Sequence, residues 1–551
     1  MSFILEYIDA IQTGEIVTSK RVKSVYSQLA NDIRVSTGQY VFDEAKAQRP
    51  IKFIERYCKH SKGDFAGKPV KLELFQKAFI EAVFGFVDRE TGLRKFKESF
   101  FLVGRKNGKT TLLSCLALYM ATCDGEKGAE VYTVATKYQQ SRILFDESYN
   151  MVKQSPELAR RFRKRKTDLY YPLTMSKIQP LACRSQTMDG LNASFCVVDE
   201  LHGITDYNVY PVLQQATTAR QQPLIISITT AGTVREGIYD TLYEYASGVA
   251  DGKISDTHYL PILYELDKDD DWTRPEVWQK ANPALGNIKP RETLAELVER
   301  AKVSPKERTE ILTKQFNLRQ NPRGAWLTFE DIENPETFEL ESFRGSYCIG
   351  GVDLSITTDL TAAALLFVRG EKKFAFPMFW LPSERLTEHI ETDKIPYDIW
   401  QRRGLVRLCE GNTINYHDVA RWFVDTVKEY SLYPAWVYYD NYSSRYFVDE
   451  MTGYGFHMIR CQQGYKTLSL PLQMLGADLQ KKLVNYGNNP VMKWCLSNTG
   501  IQTDRNGNIV PIKSQSSKQR IDGLAALLDC YVGLYEHMTE FQGVNNDETK
   551  R

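Results

Sequence analysis

Ser99-Phe100-Phe101-Leu102-Val103-Gly104-Arg105-Lys106-Asn107-Gly108-Lys109-Thr110-Thr111 is the stretch on which the fold turns. An apolar run leads into a glycine-bearing loop, and the helical pattern TTLLSCLALYMA follows at once. Strand, loop, helix is the context that makes a phosphate-binding loop credible. A strict loop of this kind carries glycine five positions before Gly108, yet Val103 stands there and Gly104 comes one step late. The physical requirements survive the deviant spelling. Gly108 lets backbone approach phosphate, and the helix N-terminus behind it offers free N–H groups. Lys109 is expected to reach the β and γ phosphates of ATP, Thr110 to hold Mg²⁺ with Thr111 beside it, and Arg105 to lie on the phosphates in cis.

Outward from this loop, short apolar runs alternate with helical patterns from about 98 to 232: VYTVAT, FCVVDE and PLIISITTAG follow in turn. Such alternation predicts an α/β domain with a parallel sheet. Phe195-Cys196-Val197-Val198-Asp199-Glu200 reads as a buried strand that delivers two carboxylates to the sheet edge. Asp199 would support the Mg²⁺ shell and Glu200 would polarise the attacking water. Ser227-Ile228-Thr229-Thr230-Ala231-Gly232 ends the next strand, where Thr229 and Thr230 can sense the γ-phosphate and pass its loss onward. Gln76 opens a helix upstream, and its amide can read the donor and acceptor edge of adenine. Arg184, Arg220 and Arg235 are candidates for an arginine that enters a neighbouring subunit's site.

A second α/β pattern begins at YCIGGVDLS, continues through TAAALLFVRG and KFAFPMFWLP, and reaches AWVYYDN after the helix HDVARWFVDTVKEY. Three strands in meander, then helix and strand, is the ribonuclease H order. Asp353 and Asp440 end two of these strands, and Asp522 opens the alanine-rich helix of KQRIDGLAALLD. Three hard oxygen donors are what paired Mg²⁺ ions need to activate water and stabilise a leaving oxygen, and Mn²⁺ can substitute. Asp359 is the auxiliary ligand, with Asp529 and Asp449 as alternates. The segment 501–509 reads as a hairpin closed at Asn506-Gly507, followed by Lys513, Lys518 and Arg520 as a DNA guide.

Composition sets the outer bounds. A chain of 551 residues exceeds one core. The expected division is a helical lid or docking segment 1–70, an ATPase domain 71–325, a linker 326–345, a nuclease domain 346–540 and a disordered tail 541–551. The 10 cysteines form no CxxC pair, so structural thiols are expected rather than zinc or disulfides. No apolar run is long enough to span a bilayer and the N-terminus lacks a basic leader, so a cytosolic protein is expected, without membrane partner. Net charge is +1, so DNA contact must come from local basic patches. Arg160 to Lys166 is the strongest such run, and it reads equally as a solvated face.

Together the GRKNGKT loop, the VVDELH strand, the SITTAG strand end and the trailing aspartates resemble the large terminase subunit of tailed bacteriophages, most closely the HK97-like group. The resemblance spans about 70 to 535. It implies an ASCE-type P-loop ATPase followed by a ribonuclease H-like nuclease, working on double-stranded DNA in a ring, usually of five subunits. It further implies a portal protein and a small terminase subunit as partners, and a host-cytoplasmic location with transient residence on the procapsid portal, absent from the mature virion. In this family Lys109 and Thr110 become nucleotide ligands, Glu200 the catalytic glutamate, and Asp353, Asp440 and Asp522 the metal-binding triad. A helicase or translocase would share only the first half, and a transposase-like nuclease only the second.

Overall fold

The structure, a computed structural model, describes residues 2–540 except 184–187, 189, 205, 207, 233–237, 321–325, 356–359, 394, 441–444 and 515–518. Two compact units divide it, Met1–Arg319 and Gln320–Arg551.

The first unit is built on an eight-stranded sheet. Its strands are β1 (Glu98–Leu102), β2 (Glu130–Ala135), β3 (Arg163–Lys164), β4 (Leu169–Tyr171), β5 (Ser176–Ala182), β6 (Phe195–Asp199), β7 (Leu224–Thr229) and β8 (Tyr259–Leu263). Their order across the sheet is β8-β1-β7-β6-β2-β5-β4-β3. The six strands from β8 to β5 run parallel, and β4 and β3 turn back antiparallel at one edge. Parallel strands covered on both faces must be apolar throughout, which is why β6 and β7 read as unbroken hydrophobic runs. The basic run sits on that far edge. Arg163 and Lys164 form the exposed edge strand, Phe162 anchors it in the core, and Arg165 pairs with Asp168. Charge on an edge strand also blocks pairing with foreign strands.

The N-terminal segment forms α1 (Phe3–Thr13), α2 (Lys20–Val35) and α3 (Glu44–Tyr57), before α4 (Leu74–Gly85). It is an integral layer rather than the expected lid. Tyr7, Ile8, Tyr26 and Ile54 are buried in the same core as Phe79, Phe101 and Leu116. The carboxylate of buried Glu81 accepts bonds from Ser2 Oγ at 2.7 Å and Ile4 N at 3.0 Å, so α4 caps the N-terminus of α1. A helix N-terminus is where a buried carboxylate is best tolerated.

Two further helices follow in this unit, α6 (Arg291–Val303) and α7 (Pro305–Lys314). Pro305 cannot continue the first helix, and Ser304 caps the second through its contact with Glu307 N. They form their own cluster with Trp278, Leu285 and Phe316.

The second unit has a seven-stranded mixed sheet. In chain order its strands are β9 (Tyr347–Asp353), β10 (Thr361–Arg369), β11 (Lys372–Pro382), β12 (Val406–Cys409), β13 (Tyr433–Asp440), β14 (Met458–Cys461) and β15 (Val484–Asn485). The main path is β12-β11-β10-β9-β13-β14, with β15 beside β11. β9, β10 and β11 form the antiparallel meander, and β13 then pairs parallel to β9 after helix α8 (Tyr416–Tyr430). This is the ribonuclease H order expected from the sequence. The hairpin is also present, Thr499–Thr503 against Ile509–Lys513, with Asp504 accepting bonds from Asn506 N and Asn508 N across its turn.

The expected linker 326–345 belongs to this second unit. Leu327 and Ile332 are buried in its core, Phe343 is buried against Phe367, and Trp326 N donates to Thr499 O. Apolar residues in that stretch require a core to cover them, and a free linker has none. All ten cysteines are free thiols and all but Cys123 are buried. No helix among the described residues is long and apolar enough to cross a membrane.

Helix α9 (Asp522–Glu536) lies on β9, and Gly351 sets their separation. A Cβ there would stand 2.7 Å from Cys530 Sγ and nearer still to Ala526 O. Gly351→Ala is therefore expected to force the helix off the strand, costing about 1–3 kcal/mol of overpacking strain. Calorimetry should show a lower transition for the second unit and an unchanged one for the first.

Candidate functional site

Pairing across the first sheet brings three chain segments to one edge. Leu102 pairs with Thr229 and Ile228 with Asp199, so the ends of β1, β7 and β6 lie side by side. The loop 103–108 leaves β1 there and runs into α5 (Lys109–Thr122), a helix buried on all sides. Gly108 has φ +78°, and a side chain there would crowd Gln76 Nε2 at 3.0 Å and Ile288 Cδ1 at 3.2 Å. Both the left-handed backbone and the space demand glycine.

Gly104, one step late in the motif, has a different duty. A Cβ on it would meet Asn282 Oδ1 at 2.5 Å and Gln315 O at 2.6 Å. Its N–H donates to Ala281 O, and Arg105 N donates to Lys314 O. Asn107 completes the junction: its Nδ2 donates to Asn282 Oδ1 at 3.0 Å, and its Oδ1 accepts from Ala284 N at 3.0 Å. The deviant spelling therefore fits the loop against residues 281–315, a neighbour that sequence reasoning did not find.

Lys109 and Thr110 open α5, and Thr111 follows. Burial lowers the Lys109 ammonium below its usual range, against the pull of Glu200 and Asp199. Its Nζ rests 3.4 Å from Val103 O. Gln76 is buried on α4, where its Oε1 accepts from Glu73 N at 3.0 Å as part of a capping box. Its amide nitrogen faces Gly108, so the structure directs the donor side of this group toward the loop. Arg105 is exposed, 4.0 Å from Glu310.

Asp199 ends β6 and Glu200 follows it, in a different electrostatic setting. Burial raises Asp199 to about 6 despite Lys109. Burial also acts on Glu200, but Lys109, His202, Lys314 and Arg105 outweigh it and hold the carboxyl below its ordinary value. Adjacent acids driven apart in this way acquire separate roles. Glu200 also sits in the left-handed region at φ 51°, a conformation that costs a non-glycine residue about 1–2 kcal/mol.

His202 joins these parts, and it was missed in the sequence because a lone histidine after an acidic pair carries no pattern. Lys314 Nζ lies 2.6 Å from its Nε2, Thr229 Oγ1 2.9 Å and Glu200 Oε2 3.2 Å from its Nδ1. Burial, then Lys314, lowers the ring to about 4, so it is neutral at pH 7. An ammonium only donates, so Nε2 accepts and the ring proton is on Nδ1, facing Thr229 and Glu200. Thr229 Oγ1 accepts from His202 and donates to Thr230 O at 2.8 Å. Thr230 is buried, and Ala231 N donates to Asn317 Oδ1, which ties the end of β7 to the segment after α7. Burial, against Glu200, lowers Lys314 to about 8.

Of the three trans-acting candidates, Arg184 and Arg235 lie outside the described residues. Arg220 pairs with Glu126 at 3.2 Å and donates to the carbonyls of Gly128 and Asn192, so its whole guanidinium is occupied within its own unit.

In the second unit Asp353 and Asp440 stand one residue beyond the Val352–Tyr439 pair, at the ends of adjacent parallel strands. Asp522 begins α9, which crosses that sheet, and both Asp522 and Asp353 act on the buried thiol of Cys495. All three aspartates thus border one end of the sheet. Three carboxylates suit hard divalent cations, although among the described residues no three such side chains are gathered closely enough to hold an ion. Asp359 lies outside the described residues, and Asp449 is exposed on its helix. Asp529 is buried on α9, where desolvation first and Asp440 second raise it to about 8, so it is neutral at pH 7. Arg520, just before Asp522, is buried against Asp393 at 3.0 Å rather than displayed as a guide; Lys518 lies outside the described residues.

Residues 74–248 match the family model of the terminase large subunit ATPase domain, and residues 253–537 that of its endonuclease domain. The chain is 27% identical over 495 residues to the terminase large subunit of Enterobacteria phage HK97, covering 88% of this chain and 94% of that protein. It is 22% identical over 549 residues to the terminase large subunit of Lactococcus phage p2, covering 96% of this chain and 98% of that one. The crystal structure of the HK97 large terminase covers 89% of this chain and 99% of its own at 25% identity, with a TM-score of 0.49. The second matched region begins inside the first compact unit, so residues 253–319 belong to the unit that holds the 103–108 loop. Since the endonuclease match by itself spans more than half of the 551 residues, this chain belongs to the terminase large subunit family, with an ATPase and an endonuclease domain.

Proposed function

We propose that this chain is the motor and nuclease of viral genome packaging, driving double-stranded DNA into a procapsid with ATP and cutting the concatemer. The meeting of the phosphate loop, Asp199-Glu200 and Thr229 at one sheet edge is the observation that carries it. The free N–H groups at the α5 N-terminus would hold the ATP phosphates, with Gly108 allowing their close approach and Lys109 supplying positive charge. Thr110, with Thr111 adjacent, and Asp199 hold the Mg²⁺ that comes with the nucleotide, while Gln76 and Arg105 flank it. Glu200, ionised at neutral pH, takes the proton of the attacking water. His202 holds Glu200 against Thr229, so departure of the γ-phosphate reaches β7 through one hydrogen-bond chain.

In the second unit Asp353, Asp440 and Asp522, with Asp359 as auxiliary, hold Mg²⁺ or Mn²⁺, which supplies an activated water and a stabilised leaving oxygen. The exposed cations of 160–166 are suited to DNA phosphates, and Lys513 at the hairpin is suited to guiding the strand. The motor acts as a ring of five on the portal protein in the host cytoplasm, with a small subunit that selects viral DNA. With Arg220 occupied, Arg184 and Arg235 are the arginines proposed to reach a neighbouring site.

Lys109→Ala and Glu200→Gln should each lower ATP turnover by roughly 100-fold or more and stop packaging of linear DNA into purified procapsids, while plasmid cleavage persists. Normal turnover in either variant would sink the site. Asp353→Asn, or chelation with EDTA, should stop cleavage; the variant alone should keep normal ATP hydrolysis, and undiminished cutting by it would refute the triad. His202→Ala should lower kcat by roughly 10- to 100-fold with KM nearly unchanged. His202→Asn, which keeps a donor near the Nδ1 position, should recover part of that loss in a steady-state assay.

A further inference from the structure

Lys289 is only 4% exposed. Its Nζ donates to two amide oxygens, Asn282 Oδ1 and Gln315 Oε1, each at 2.5 Å. Among the described residues no carboxylate stands within ion-pair distance of it. Burying an ammonium without a counter-charge is strongly unfavourable, which is why such groups are normally paired. The charge that acts on it is of the same sign: burial first and Lys109 second lower Lys289 to about 7.

Its location explains what would compensate it. Asn282 Oδ1 accepts simultaneously from Lys289 Nζ and from Asn107 Nδ2 of the phosphate loop. The preceding residue, Ile288, lies against Gly108, and Asn287 Nδ2 donates to Glu73 Oε2, beside the start of α4. The turn 286–289 therefore lies over the loop that cradles phosphate, with an unmatched cation buried at its end.

We propose that Lys289 is a phosphate-receiving residue of the nucleotide site, an ammonium from outside the three ATPase motifs that pairs with the ATP polyphosphate. This rests on the ATP-site reading above. An arriving polyanion supplies the missing counter-charge to Lys289 and Lys109 together, at the place where the 281–315 segment already packs on the loop. A purely structural lysine, bridging Asn282 to Gln315, would instead support the fold and leave nucleotide affinity alone.

The two readings predict opposite effects of neutralising the charge. In the full chain with Mg²⁺, Lys289→Met and Lys289→Gln are compared with wild type for binding of a fluorescent ATP and for nucleotide-free melting temperature. The expected result is ATP affinity weaker by about tenfold or more, with a melting temperature at or above that of wild type. Affinity within about twofold of wild type, or a loss accompanied by lower melting temperatures in both variants, overturns the proposal. Lys109→Ala is measured alongside. If it too binds ATP normally, the ATP site itself is wrong, whereas weak binding by Lys109→Ala with normal binding by the Lys289 variants refutes Lys289 alone.

Discussion

Everything in the first unit depends on the parallel pairing of β1, β7 and β6. The hydrogen bonds that hold Leu102 beside Thr229 and Ile228 beside Asp199 bring three loops, distant in sequence, within reach of a single ligand. These strands are buried on both faces, so slipping the register would expose apolar residues and is strongly resisted. The positions of Lys109, Glu200 and Thr229 follow from that constraint. In the second unit the pairing of β9 with β13 does the same for Asp353 and Asp440.

On this scaffold the site is an arrangement of unlike charges in a poorly solvated place. Lys109, Lys289 and Lys314 are all lowered by burial, Asp199 is raised and Glu200 lowered. Burial alone would push both acids upward. Glu200 escapes because His202, Lys314 and Arg105 surround it in addition to Lys109. The chain from Lys314 through His202 to Thr229 then links Glu200 to α7 and to the end of β7. A hydrogen-bonded path with defined donors and acceptors is a physical basis for coupling, since changing one end alters the partners available at the other.

Local reading found most of the strands and the acids that end them because their signals are short-range. A run such as FCVVDE or PLIISITT needs only its own residues to be read, and its C-terminal polar residues fall where the chain leaves the sheet. The same holds for the small residues of α9. What local reading missed arrives from afar. Asn282, Lys289 and Lys314 lie some 175 to 205 residues beyond the 103–108 loop, in stretches that carry none of the motifs. The first seventy residues read as an amphipathic appendage because their covering surface, around Phe79, Phe101 and Tyr264, lies in other segments.

The sequence alone determined the two α/β units, the strands that carry Asp199, Glu200, Asp353 and Asp440, and the helices opened by Lys109 and Asp522. Periodicity, glycine and the placement of acids act over a few residues, so they are written locally. Tertiary structure alone decided that Gly104 serves packing, that His202 joins Glu200 to Thr229, that Arg220 is occupied, and that Lys289 is buried beside the loop. Such facts depend on which distant side chains supply the missing charge, donor or space, and that becomes settled only when the chain closes on itself.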